Sequence, residues 1–333
     1  MSKDNDNNQN EVIKQTLKRI EKDYGKGSVM HLGDVSKNNI EKVSTGSLYL
    51  DKALGGGYPK GRIIEIFGPE SSGKTSLSFL AASEIQKQNG KVAFIDAEHA
   101  IDLNFARKIG VNTNDLILSQ PDSGEQALDI AEAIIESNAF DLLVIDSVAA
   151  LVPEIELKGE MSDQTIGAHA RLMSKALRRL TPKISKSKTT VIFINQIREK
   201  VGVIFGNPET TTGGRALKFY SSIRMDTRLK ERIKDSNNTL QGQIIKVKIV
   251  KNKVSEPYKE AFIELNYFKG FNKKLEILNY AVEKEIILKQ GSWYSYKGEK
   301  MGQGKDSALD WFLKNKKKFQ EIEKQVLDLM YSK

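Results

Sequence analysis

Eight consecutive residues, Gly68, Pro69, Glu70, Ser71, Ser72, Gly73, Lys74 and Thr75, fill every fixed position of the pattern G-x-x-x-x-G-K-[ST], and Ser76 follows them. This spacing suits phosphate chemistry. Glycines reach backbone conformations that side chains disfavour, so successive N–H groups can turn inward around an anion. A lysine in the seventh position can reach the β and γ phosphates, and a hydroxyl in the eighth can ligate magnesium. The implied ligand is a nucleoside triphosphate such as ATP, with Mg2+. Such a loop works only between a strand and a helix, whose positive end adds to the anion site. The apolar run at 62–67 and the helical pattern at 76–88 supply both.

Other strand ends carry groups that a triphosphate site needs. The run 142–146 is a buried-strand pattern ending in Asp146, placed to hold magnesium through water. A helix cap formed by Asp146 and Ser147 is the alternative reading. The run 91–96 is followed by Glu98, a candidate base for an attacking water, with a solvated loop acid as the alternative. Residues 190–194 lead to Asn195 and Gln196, and an amide there can sense a γ-phosphate by hydrogen bonding. Next comes 197–214, with four glycines, one proline and no sustained period. It reads as a long loop without regular structure, either functional or floppy, whose order Gln196 could control.

Between Gln164 and Arg198 there are eight basic residues and no acid. Periodicity predicts a helix over 168–180, with Met173, Ala176, Leu177 and Leu180 on one face and Arg171, Lys175 and Arg178 on another. Cations on one face beside glycine-containing loops at 156–167 and 197–214 suit the backbone of a single-stranded nucleic acid. A solvated charged face is the alternative.

The elements that must position these groups read as an α/β protein with a mostly parallel twisted sheet flanked by helices. Expected strands lie at 91–96, 116–119, 141–146, 190–194, 223–228, 244–251 and 262–265, and the last of them, lacking helices between, should pair antiparallel. An amphipathic helix at 11–24 must bury Val12, Ile13, Leu17 and Ile20 elsewhere. Three parts are expected: 1–34 with that helix, a core over 35–270, and 271–333, a small α+β domain whose own core holds Trp293, Tyr294, Tyr296, Trp311 and Phe312. The 333 residues contain no cysteine, which excludes disulfides and thiolate metal sites. No early apolar leader and no run near a membrane span occurs, so a cytoplasmic protein without a membrane partner is expected. The net charge of +9 is spread thinly outside the basic helix.

Taken together, GPESSGKT (68–75), FIDAEHA (94–100), SQPDSGEQAL (119–128), VIDSVAALVP (144–153), FINQIREKVGVIFGNPETTTGG (193–214), VKNK (250–253) and WYSYKGEKMGQGK (293–305) resemble the bacterial RecA recombinases over nearly the whole chain. The resemblance implies a RecA-type core and a DNA-dependent ATPase that forms helical filaments on single-stranded DNA and exchanges it with homologous double-stranded DNA. It also implies a role in recombinational repair and in stimulating a self-cleaving repressor in the SOS response. By position, Lys74 and Thr75 serve the phosphates and Mg2+, Glu98 is the base, Asp146 the second acid and Gln196 the γ-phosphate sensor. Asp102 and Phe105 match adenine contacts, with Phe105 where tyrosine is common. Lys251 and Lys253 match lysines that reach the ATP of a neighbouring protomer. The segments 156–164 and 197–214 match the two DNA-binding loops, with Arg198, Val201, Gly213 and Gly214 in the second and Arg171, Ser174 and Arg178 on the helix between them. The helix at 11–24 then serves polymerisation.

Two features depart from the family pattern. Arg215 and Glu199 alter the surroundings of the second loop, and the chain stops at Lys333 without an acidic tail, so weaker self-inhibition is expected. Two other functions fit the phosphate loop: a hexameric helicase-type motor, and an ATP-locked filament that acts only as a binding platform.

Overall fold

The structure is a computed structural model and describes all residues except 1, 30, 32–39, 161–164, 166, 200, 201, 203–205, 207, 332 and 333. Two compact units are present, Met1–Glu41 and Lys42–Lys333. In the first, a helix spans Ser2–Tyr24 and so begins at Ser2 rather than Glu11. No glycine or proline interrupts the polar leader, so nothing stops the helix from extending through it. It ends where Gly25 and Gly27 take positive φ. Val12 and Ile13 are exposed, and Leu17 and Ile20 half-buried.

In the second unit, β1 (Lys42–Val43) and β2 (Tyr58–Pro59) form a short antiparallel pair. A ten-stranded sheet follows, built from β3 (Ile63–Gly68), β4 (Val92–Asp96), β5 (Leu116–Ser119), β6 (Leu142–Asp146), β7 (Thr190–Glu199), β8 (Glu209–Thr211), β9 (Ile223–Lys234), β10 (Leu240–Asn252), β11 (Glu260–Asn266) and β12 (Gly270–Phe271). The order is β12-β11-β10-β9-β3-β7-β6-β4-β5, with β8 attached to β7. From β9 to β5 the neighbours run parallel, and β9 to β12 are antiparallel, as the helix-free spacing predicts.

Successive residues of the central strands point into different cores, which is why their sequences are apolar throughout rather than alternating. Val92, Phe94, Leu142 and Val144 pack with Leu77, Phe79 and Leu80 of the helix Lys74–Lys87. Ala93, Ile95, Leu143 and Ile145 pack on the other face with Ala131 and Ile135 of the helix Gly124–Glu136 and with Met173 and Leu177 of the helix Ala168–Ser187. The sheet is therefore covered on both sides, and its open positions are the strand ends.

Two loop expectations change. The stretch 197–214 is not structureless throughout, because β7 continues through Glu199 and pairs antiparallel with β8, placing Arg198 opposite Thr210. β-branched Ile197, Thr210 and Thr211 suit such pairing. The segment 156–167 likewise begins inside a helix, Glu154–Lys158.

Toward the C-terminus β13 (Leu288–Gln290), β14 (Trp293–Tyr296) and β15 (Glu299–Gln303) form an antiparallel sheet. A third core gathers Ile277, Tyr280, Tyr294, Tyr296, Trp311 and Phe312, whereas Trp293 is 48% exposed. This core also takes in Leu48, at the start of the helix Leu48–Leu54. There Glu276 accepts hydrogen bonds from Ser47 Oγ (2.7 Å) and the Leu48 amide (2.6 Å).

Burial pushes the Glu276 carboxyl up to about 7, against the bonds from Ser47 and Leu48. A carboxyl raised in the folded state stabilises the fold when protonated, and that contribution fades as pH climbs from about 4.5 through 7. The expected loss is roughly 3 kcal/mol over that interval. In chemical denaturation, the stability of the parent relative to Glu276→Gln should fall as pH rises; a pH-independent difference would show that Glu276 ionises as it would in water.

Candidate nucleotide site and its link to a basic helix

The phosphate loop forms where β3 ends and the helix Lys74–Lys87 begins. Gly73 caps that helix at φ 87°, and a Cβ there would lie 2.2 Å from Ile245 Cδ1, so the turn admits only glycine without rearrangement. Gly68 is equally confined, since an added Cβ would meet the Thr227 carbonyl at 2.2 Å. Lys74 Nζ donates to the carbonyls of Gly68 (3.2 Å) and Pro69 (2.6 Å), curled back over the loop it is expected to serve. Burial lowers the pKa of this ammonium, while the charges of Asp146, Glu98 and Glu70 oppose the shift.

The loop lines a cleft of about 350 Å3 with Ser71, Ser72, Gly73, Lys74, Thr75, Ser76, Phe105, Gln243, Leu265 and Tyr267. Phe105 thus stands beside the phosphate loop. Asp102 caps the helix Leu103–Ile109, accepting from the amides of Asn104 and Phe105. Tyr267 was not singled out by sequence reasoning. It follows β11 directly, 192 residues after Thr75 in the numbering, and its hydroxyl donates to Gln243 Oε1 at 3.1 Å. An aromatic just past a strand end was the available signal, but several others in the chain share it.

Parallel register brings the acids together. Asp96 and Asp146 lie level on β4 and β6, and the Ala97 amide donates to the Asp146 carbonyl at 2.7 Å. Gln196 on β7 is level with Gly68 on β3. Thr75 Oγ1 donates to Asp146 Oδ2 at 2.7 Å. Glu98 Oε1 accepts from Gln196 Nε2 at 3.0 Å and from Ser147 Oγ at 2.5 Å. Asp146 does not act as a helix cap. Ser147 occupies that position before the 3-10 turn Val148–Ala150, without a side-chain cap bond.

Burial pushes the Asp146 carboxyl up to about 6; the charges of Glu98 and Asp96 add to this, and the Thr75 bond and Lys74 oppose it. A buried carboxylate beside a hydroxyl, facing a phosphate loop, is a donor set that suits Mg2+, which keeps several waters and shares phosphate oxygens. Thr75 and Asp146 therefore fit the ion. Among the described residues no cluster of three His, Cys, Asp or Glu makes another metal site.

The strand ends continue into the second loop. Asn195 Nδ2 donates to Glu65 Oε1 (3.0 Å) and to the Thr212 carbonyl (3.1 Å), and Arg224 pairs with the fully buried Glu65. Gly213 and Gly214 take positive φ of 78° and 75°. A Cβ on Gly213 would meet Val148 Cγ1 at 3.0 Å and Met173 Cγ at 3.2 Å, and one on Gly214 would meet Ala170 Cβ at 2.8 Å. The loop exit is thus pressed onto the turn after Asp146 and onto the helix Ala168–Ser187. That helix exposes Arg171 and Arg178 and half-buries Ser174. Arg198 is exposed on β7. Val201, expected in the same group, lies outside the described residues, as do residues 161–164.

Lys251 and Lys253 are not brought to the phosphate loop of their own chain. Lys251 Nζ donates to the carbonyls of Lys218 (2.6 Å) and Phe219 (3.1 Å), and Lys253 Nζ to that of Phe219 (3.4 Å), at the end of the helix Ala216–Tyr220.

A two-faced parallel sheet with a phosphate loop at its carboxyl edge, an acid at the end of β6, which β7 separates from the loop's own strand β3, and a carboxylate held beside an amide defines a phosphate-loop nucleoside triphosphatase. The sequence comparisons are more specific. Residues 11–272 match the model of the RecA N-terminal domain and residues 275–330 that of the RecA C-terminal domain. The chain is 58% identical over 322 residues to Protein RecA of Mycoplasma mycoides subsp. mycoides SC, covering 96% of this chain and 93% of the relative. It is 54% identical over 316 residues to Protein RecA of Bacillus subtilis strain 168, covering 95% and 90%. The likeness to Protein RecA of Leptospira biflexa is 55% over 321 residues, covering 96% and 83%. The chain belongs to the RecA family.

Proposed function

We propose that this protein is a DNA-dependent ATPase that assembles as a helical filament on single-stranded DNA and catalyses homologous pairing and strand exchange with double-stranded DNA in recombinational repair. Family membership supports that activity, and also a further role in stimulating a repressor's self-cleavage in the SOS response. It works in the cytoplasm; among the described residues no helix is long and apolar enough to cross a membrane. Residues 1–34 serve polymerisation, 35–270 form the ATPase core with two DNA loops, and 271–333 form the C-terminal domain.

The observation that carries the reading is the unbroken contact path from Glu98 and Asp146, through Ser147 and Val148, to Gly213 and the helix bearing Arg171 and Arg178. A change at the γ-phosphate, felt by Gln196, thereby has a mechanical route to the groups that hold DNA. Glu98 takes the proton of the attacking water, Lys74 neutralises charge on the phosphates, and Phe105 and Asp102 contact adenine. Thr75 and Asp146 would hold Mg2+, which supplies charge neutralisation at the phosphate oxygens. Lys251 and Lys253 reach the ATP of a neighbouring protomer, which fits their distance from their own phosphate loop and makes hydrolysis depend on filament formation. A ring-forming helicase motor shares the phosphate loop, but the family match that extends through residue 330 disfavours it.

Single-stranded DNA binding, titrated against salt with ATP, with ADP and without nucleotide, tests the reading. Binding should be tightest with ATP. In Arg171→Ala with Arg178→Ala it should weaken for all sequences alike, with the log-log salt slope reduced by roughly 0.7 per phosphate no longer neutralised. Equal affinity in all three nucleotide states would overturn the proposal, and an unchanged slope would remove the basic helix from the DNA path.

A further inference from the structure

Glu98 sits on an exposed turn two residues beyond β4, next to His99 at φ 54°. A carboxylate in such a place has free rotamers unless a neighbour holds it. Two donors do so, Ser147 Oγ at 2.5 Å and Gln196 Nε2 at 3.0 Å, and both use Oε1 rather than Oε2. They differ in kind. Gln196 is half-buried at the root of the second loop, and sensing a γ-phosphate requires it to exchange partners. Ser147 is 1% exposed. Its backbone is fixed by the level pairing of Asp96 with Asp146 and by the Ala97 amide bond to the Asp146 carbonyl. Its hydroxyl is therefore the donor that stays in place while the amide moves.

We infer that Ser147 is a positioning residue for hydrolysis, holding Oε1 of Glu98 so that Oε2 faces the water to be activated. The inference rests on the assignment of Glu98 as the base. In this role the serine acts only through the carboxylate to which its hydroxyl donates. Misplacing a catalytic group by about 1 Å can cost on the order of 100-fold in rate, so freeing Glu98 should cost a sizeable part of what a general base contributes.

The test is steady-state ATP hydrolysis on saturating single-stranded DNA by the full chain and by Ser147→Ala, Ser147→Gly and Ser147→Thr, each also combined with Glu98→Gln. Removing the hydroxyl should lower kcat roughly 10- to 100-fold, with KM for ATP and affinity for DNA within about twofold of the parent. Ser147→Thr should recover kcat relative to alanine, and in the Glu98→Gln background the serine variants should add no further loss. A parental kcat in both Ser147→Ala and Ser147→Gly overturns the inference while leaving Glu98 as the base. So does a loss that appears in KM rather than kcat, or an equal loss in the Glu98→Gln background. If Glu98→Gln alone hydrolyses ATP normally, the base assignment and the positioning role fall together.

Discussion

Glu98→Gln should reduce ATP hydrolysis by roughly 10²- to 10⁴-fold, the range a positioned general base contributes, while ATP and single-stranded DNA still bind. Glutamine keeps the shape of the side chain and can still accept from Ser147 and Gln196 through its carbonyl oxygen, so the strand ends should stay assembled. What it lacks is a basic oxygen to take the proton from water. The variant should therefore form DNA complexes with ATP that outlast those of the parent, because the bound triphosphate is no longer consumed. Phosphate release and DNA dissociation, followed together, check both halves. Loss of ATP binding would show that Glu98 holds the nucleotide rather than the water. The same variant separates a recombinase from a passive binding platform, in which turnover is dispensable and strand exchange would proceed at the parental rate.

Lys74→Ala should abolish measurable hydrolysis by a different route, weakening ATP binding as well as chemistry. Charge-assisted hydrogen bonds are worth about 1.5–3 kcal/mol each, so removing a lysine in its proposed place across two phosphates should correspond to roughly 10²-fold or more. The nucleotide-free fold should survive, since the lysine's two bonds in that state go to the carbonyls of Gly68 and Pro69 within the loop itself. Thermal melts with and without ATP and Mg2+ distinguish the cases: the parent gains stability by ligand linkage, and the variant should gain little. A Lys74→Ala protein that still turns over ATP would remove the phosphate loop from the reaction. Opposite behaviour in ATP binding by the two variants follows from the roles proposed for them, Lys74 on the phosphates and Glu98 beside the water.

Much of the site was legible because each group occupies a strand end, and strand ends can be read from composition. Apolar runs stopping at Asp96, Asp146 and Gln196 place three chain segments at one edge of a parallel sheet without any knowledge of their order. Glu98 and Asp146 emerged from that logic alone, and the antiparallel end of the sheet from the absence of helices between the last strands. The hairpin at 197–199 and 209–211 was missed because a few polar, β-branched residues flanking a glycine-rich stretch carry little periodicity. Tyr267 was missed because nothing local distinguishes it from other aromatics. Ser147 was read only as part of a cap, since its partner lies 49 residues away.

By itself, the order of amino acids determined the ligand class, the two-faced parallel sheet, the basic stripe on the helix after the first loop and the family. Each of these is encoded in neighbouring residues, as a fixed spacing, a period or a motif. Tertiary structure alone decided that Asp96 stands level with Asp146, that Ser147 and Gln196 share one oxygen of Glu98, that Tyr267 lines the same cleft as Ser71, and that Gly213 and Gly214 press the second loop onto the basic helix. The reason is physical. Contacts between parallel strands depend on register and on the crossovers that join them, and a one-residue slip of a strand such as β4 or β6 would turn its side chains to the other face and shift the groups at its end.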